Sequence, residues 1–280
     1  MTDFEQPTPA ALVAERARRL YGQGGGGHGH GGDEGLTEPA GVLHVAAVGR
    51  EPDGELVVLE INHATPRSAH DRFALDLARA RADVIVTTGA ILRAEPGLRY
   101  ELASDRADAL HTWRMDQLGR PTPPLVVVLT GREDIDLDHP TLHGWAQPWI
   151  FTNVDCARAL HGRLPRHVGL AGVPSPDLQT LVDWARRRFD ARTITIEAGP
   201  TTTRPLYQIH DEGSQAEGGG PGLVDELMLS VFEGTIPSAA RGQPFVSERT
   251  LERYFTRRHE GEVVQEQSGP WRFIRLLRAG

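Results

Sequence analysis

Residues 193–196 read Thr-Ile-Thr-Ile, four β-branched positions in a row, which predicts a short strand buried on both faces. Similar apolar runs lie at 42–48, 56–61, 84–87, 125–129, 149–152, 167–170 and 223–232, most of them bounded by Gly, Pro or Asp. Between the runs the period changes to that of a helix. Over 69–80, Phe73, Leu77 and Ala80 share a stripe behind Ser68 as N-cap. After Ser175-Pro176, Leu178, Leu181, Val182, Ala185 and Phe189 do the same. Thr8-Pro9 opens a helix over 10–21, with Leu12, Val13, Ala17 and Leu20 on one side. Further helices are predicted at 104–118 and 248–255, and a closing hairpin joins 263–267 to 271–277 across Ser268-Gly269-Pro270. Alternating strands and helices predict an α/β fold. Its sheet is mostly parallel and covered on both faces, with antiparallel strands added by the C-terminal hairpin.

The Gly/His-rich run at 24–32 loses too much backbone entropy on ordering to hold a fold, so residues 1–40 read as a helix plus a disordered linker. Residues 41–280 read as one domain, with a Gly-rich surface loop at 213–222. A net charge of −8 argues against a protein that grips nucleic-acid phosphates. All 30 basic side chains are arginine, which excludes Schiff-base and P-loop lysines. Cys156 is the single cysteine, so neither an internal disulfide nor a cysteine-based zinc site is expected, and no metal is assigned. No apolar run reaches membrane-span length and no secretory signal is visible, so a reducing cytoplasm is the expected compartment, without membrane contact.

Chemistry is expected at strand tips, because ligands of open α/β sheets sit beyond the carboxyl ends of strands. The 193–196 run ends in Glu197-Ala198-Gly199-Pro200-Thr201. There Gly199 would allow a diphosphate close to the backbone, and Pro200 suits a first helical turn. Thr201 adds a hydroxyl, and Glu197 puts a carboxylate at the mouth of the site. The 84–87 run ends similarly in Thr88-Gly89-Ala90, with Arg93 close by. Neither tip is a G-x-G-x-x-G fingerprint, and no G-x-S-x-G elbow or H-E-x-x-H helix occurs. Most of the twelve histidines fall in loops and read as solvated. Asp53-Gly54 reads as a turn, and Asp225 and Glu226 as charges on a strand edge.

One region combines Ser68, Asp71-Arg72, the run Ala78-Arg79-Ala80-Arg81-Ala82-Asp83-Val84-Ile85-Val86, and Arg93-Ala94-Glu95. It resembles the reductase half of the bifunctional riboflavin-biosynthesis deaminase/reductase. Glu197-Ala198-Gly199-Pro200-Thr201 resembles that family's second signature, and Leu223-Val224-Asp225-Glu226-Leu227 its third; the three come in family order over 42–277. The resemblance implies a dihydrofolate-reductase-like three-layer fold and a homodimer. It also implies NADPH-dependent reduction of a small molecule, 5-amino-6-(5-phosphoribosylamino)uracil. NADPH would lie on Thr88, Gly89, Ala90 and Glu95 from one tip and Gly199, Pro200 and Thr201 from the other. Arg79 would face the substrate or its phosphate. Glu197 would touch the substrate beside the nicotinamide, steadying a cationic imine or relaying its proton.

The sequence also departs from the family. Glu51-Pro52-Asp53-Gly54 only echoes the Ser-Leu-Asp-Gly motif, Ile91 stands where threonine is common, and Asn62-His63-Ala64-Thr65-Pro66 replaces the run before the first helix. A related reductase with another substrate, or a nucleotide- or partner-binding homologue without turnover, are the alternative expectations.

Overall fold

The structure, a computed structural model, describes residues 7–22, 35–207 and 222–278. The linker expected at 24–32 and nearly all of the loop expected at 213–222 lie outside these residues. Among the described residues twelve strands are found: β1 Gly41–Arg50, β2 Leu56–Leu59, β3 Val84–Thr88, β4 Leu125–Leu129, β5 Gln147–Asn153, β6 Gly169–Val173, β7 Thr193–Ile196, β8 Glu226–Phe232, β9 Arg241–Pro244, β10 Arg257–Glu260, β11 Val264–Glu266 and β12 Gly269–Leu277. Eight α-helices accompany them: α1 Pro9–Tyr21, α2 Ala69–Arg81, α3 Gly89–Ala94, α4 Ala107–Asp116, α5 Val154–Leu160, α6 Leu178–Phe189, α7 Pro200–Thr203 and α8 Glu248–Tyr254.

The strands form one sheet in the order β10-β12-β8-β1-β7-β3-β4-β5-β6, parallel from β8 through β6. β12 joins β8 antiparallel, and β10 and β11 join β12 in the same sense. The expected mixed α/β architecture, with its C-terminal antiparallel strands, is the one found. β7 sits at the centre, and all four of its residues are buried, as the β-branched run requires. Asp83 levels the starts of β3 and β7, because its carboxylate accepts the backbone N–H groups of Arg192 and Thr193 at 2.9 and 2.8 Å.

Two apolar layers cover the sheet. One face packs Phe73 and Leu77 of α2 with Val13, Ala17 and Leu20 of α1 and Leu110 and Trp113 of α4. The other packs Leu178, Leu181, Val182 and Ala185 of α6 with Leu251 and Tyr254 of α8. The helix expected over 104–118 begins only at Ala107. Asp76, fully buried, captures the N–H groups of Ala103 and Ser104 at 2.7 and 2.6 Å and holds the preceding residues in a turn. The strand expected from 223 begins at Glu226, since the Asp225 side chain accepts the Val42 N–H at 2.9 Å.

Candidate active site

β7 is shorter than its neighbours, and that opens a notch in the sheet. Its pairing with β1 ends at His44↔Ile196 and its pairing with β3 at Val86↔Ile196, whereas β1 runs on to Arg50. β2 pairs with β1 only from Val48 onward, on the edge that β7 has left. Val45, Ala46 and Ala47 therefore have a strand partner on the β8 side alone. Their other edge borders a cavity of about 730 Å³. Backbone polar groups left unpaired by the sheet need a partner, so this edge can hydrogen-bond to a group that enters the cavity.

The two strand tips singled out in the sequence meet here. The Glu197 N–H donates to the Val86 carbonyl at 2.9 Å, which seats the tip of β7 beside that of β3. Of the expected site residues, Arg79, Glu95, Glu197, Gly199 and Pro200 all line the cavity. Thr88, Gly89, Ala90 and Thr201 are not in its lining. Thr88 instead caps α3, its hydroxyl accepting the Ile91 N–H at 3.3 Å. Gly89 is packed against the Thr130 side chain, where a Cβ would come within 2.9 Å of the hydroxyl oxygen. Ala90 and Thr201 are exposed away from it. Gly199 differs from Gly89: a Cβ there would meet nothing within 4 Å, so its bare backbone borders open space. A ligand can approach that backbone without a side chain in the way.

Glu197 and Arg79 are tied to each other. The Arg79 Nε donates to Glu197 Oε1 at 2.9 Å and Nη2 to Oε2 at 2.7 Å, a bidentate pair. Nη1 donates to the Glu101 carbonyl at 3.1 Å, and the guanidinium lies over the Tyr100 ring, 4.8 Å from its centroid. Burial alone would lower the Arg79 pKa, but the charge and hydrogen bonds of Glu197 outweigh it and hold the guanidinium above its ordinary range. Arg79, 2% exposed, has little capacity left for a phosphate. Glu95 lies at the end of α3, and burial and the negative charge of Glu197 push its carboxyl above the usual carboxylate range.

Other residues at the cavity carried no site role in the sequence reading. His44, on β1, is buried, and its Nδ1 is 2.5 Å from the Tyr207 hydroxyl; burial lowers its pKa to about 3, so the ring is neutral. No motif marks it, because an isolated histidine in an apolar strand has no spacing to read. Asn62 pins the 62–66 wall, donating from its N–H to Thr65 Oγ1 and from Nδ2 to the Ala239 carbonyl at 2.8 and 2.6 Å, while its Oδ1 accepts the Ala64 N–H at 2.9 Å. Arg67 and Arg72 stand exposed on the rim, without an ion pair among the described residues. Asp53, by contrast, is the turn residue it was read as, accepting the Glu55 N–H outside the cavity. Among the described residues no cluster of three or more His, Cys, Asp or Glu could hold a metal, and no helix is long and apolar enough to cross a membrane.

No family model matches the chain, and no curated protein does. Solved structures do. A pyrimidine reductase-like protein of Corynebacterium diphtheriae is 18% identical, with a TM-score of 0.56 over 88% of this chain and 94% of that one. RibD of Acinetobacter baumannii is 16% identical, with a TM-score of 0.54 over 89% of this chain. The match takes in 61% of the RibD chain, so this protein corresponds to part of that enzyme's length. Rib7, a riboflavin biosynthesis reductase of Saccharomyces cerevisiae, is 12% identical, with a TM-score of 0.51 over 85% of this chain and 89% of that one. The fold is that of the riboflavin-type reductases. The fold that the sequence motifs implied is thus found over most of the chain. At 12–18% identity, the likeness is one of fold.

Proposed function

We propose that this protein is an NADPH-dependent reductase of the type that acts on 5-amino-6-(5-phosphoribosylamino)uracil. The observation that carries the reading is the notch beyond Ile196, where Gly199, the free β1 edge and the Arg79–Glu197 pair border one cavity. These residues fit a reduced dinucleotide. Open space at Gly199 admits a diphosphate, and the Val45–Ala47 edge offers backbone partners to an amide-bearing ring. Arg67 and Arg72 on the rim supply positive charge for a phosphate, the role first given to Arg79. Bound there, the cofactor supplies hydride.

The protein's part is position and field. Fixed by two guanidinium hydrogen bonds, Glu197 presents negative charge at the cavity without searching for a rotamer. A carboxylate so placed stabilises a cationic imine as the sugar ring of the substrate opens. Glu95, raised by burial and by Glu197, borders the same space on the α3 side, where it suits the cofactor.

The test follows NADPH absorbance with the pyrimidine substrate present. Glu197→Gln should lower turnover about 10²-fold or more while NADPH affinity stays within a few-fold. Unchanged turnover would remove Glu197 from the chemistry. A second reading, a reductase for a different substrate, is favoured by one observation. The segment 62–66, which departs from the family pattern, supplies Asn62, Thr65 and Pro66 to the cavity wall. NADPH binding without oxidation by the pyrimidine would select that reading.

A further inference from the structure

Reduction by hydride leaves a proton to be supplied, and the Arg79–Glu197 pair does not supply it. Both oxygens of Glu197 are occupied by guanidinium donors. Among the described residues three carboxylates line the cavity: Asp71, Glu95 and Glu197. Glu95 stands on the β3 side of the notch, at the last turn of α3. Asp71 stands on the other side, in the first turn of α2.

The sheet register relates Asp71 to β1 from the β8 side. Its carboxyl interacts with the Ser230 hydroxyl of β8, and Ser230 is paired with Ala47. Glu197 follows Ile196, which is paired with His44. Three residues of strand separate His44 from Ala47, about 10 Å at roughly 3.3 Å per residue. The cavity is therefore lined by two carboxylates set at least about 10 Å apart along the sheet, one held by an arginine and one without an ion pair among the described residues. Such a difference in surroundings is how a pair of acids divides into a fixed charge and a proton carrier.

We propose that Asp71 is the general acid of this site and delivers the proton that the reduction consumes. The proposal rests on the reductase reading above. With an N-glycosylamine substrate the step balances as follows. The Asp71 proton goes to the ring oxygen as the bond from that oxygen to the anomeric carbon breaks. The nitrogen lone pair forms the C=N bond, and the reduced nicotinamide gives hydride to that carbon. The products are an open-chain amine, an alcohol, oxidised nicotinamide and an Asp71 carboxylate that solvent reprotonates.

The surroundings suit the task. Burial pushes the Asp71 carboxyl above the usual carboxylate range, while Ser230 and Arg72 pull it back. From α1 the facing titratable group is Tyr21. Glu266 of β11 is occupied by His70 Nδ1 at 2.6 Å and by the Ser68 hydroxyl at 2.9 Å, and Arg67 stands on the rim.

The experiment has two arms on the full chain. The first is an infrared pH titration of the NADPH-bound protein, which needs no turnover. It should show a protonated carboxyl that persists above the ordinary aspartate range and is lost in Asp71→Asn. Absence of that signal, or its loss in Glu95→Gln instead, overturns the proposal. The second arm is turnover against pH. Rate should fall on the alkaline side through the pKa of the acid. Ser230→Ala should move that limb to higher pH, since the hydroxyl lowers the Asp71 pKa. Asp71→Asn should cost about 10²-fold in kcat with NADPH affinity retained. A limb unmoved by Ser230→Ala, or an undiminished kcat in Asp71→Asn, also overturns it. If the wild type binds NADPH yet reduces no N-glycosylamine, the pyrimidine-substrate reading fails, and the infrared arm alone decides whether Asp71 carries the proton.

Discussion

His44 shows what a single buried side chain costs and where the cost is felt. An unfolded histidine titrates near 6.5, whereas in the fold burial lowers His44 to about 3. Between those values the unfolded chain binds a proton that the folded chain does not, so stability falls as pH is lowered from about 6.5 towards 3. His44→Gln removes that contribution and can still hydrogen-bond to Tyr207. Its urea midpoint should therefore decline less between pH 7 and pH 4 than that of the wild type; equal declines would contradict a buried neutral ring. The sequence made Glu197 legible, because a carboxylate ending an apolar strand is costly without a purpose. It did not reveal that Arg79, 118 residues away, takes up both oxygens. That pairing depends on how α2 lies over β7, which no local pattern encodes.

Elements were legible where their residues faced one environment. β3 and β7, buried on both faces, were read almost to the residue, and α2 and α6 announced themselves by period. Boundaries failed where a side chain intervened, as Asp76 does before α4 and Asp225 before β8. The charge reading at β8 also gave way. Glu226 is not on a solvated edge but 2% exposed, between Arg81 of α2 and Arg275 of β12. Arg81 Nη1 donates to its Oε1 at 2.6 Å and Arg275 Nε to the same oxygen at 2.7 Å. Burial resists the charge, yet the two guanidinium groups hold the Glu226 carboxyl at about 2. Its folded pKa is thus depressed, so the stability it contributes is present above the usual glutamate range and lost as pH falls towards about 2. Glu226→Gln would remove the buried negative charge to which both guanidinium groups donate. It should cost about 3–5 kcal/mol in denaturant unfolding. A loss below about 1 kcal/mol would show that the three charges do not tie α2, β8 and β12 together.

For the whole molecule, the topology turns one short strand into a cavity. β7 stops at Ile196 while β1 continues, and the sheet opens where two tips and α2 converge. The first tip was expected to hold ligand through Thr88, Gly89 and Ala90, but their places are set by the cap of α3 and by Thr130. Small residues at a strand end serve packing and ligand approach alike, and only the surrounding space separates the two. Gly199 is on the open side of that distinction. The most direct test of the account is therefore a titration with NADPH, read by its fluorescence, on the wild type and on Gly199→Val. The account predicts saturable binding to the wild type and loss of binding in the variant, with thermal stability unchanged because a Cβ at this position meets nothing within 4 Å. A wild type that fails to bind NADPH, or a variant that binds it equally well, would contradict the claim that the notch beyond Ile196 is a dinucleotide site.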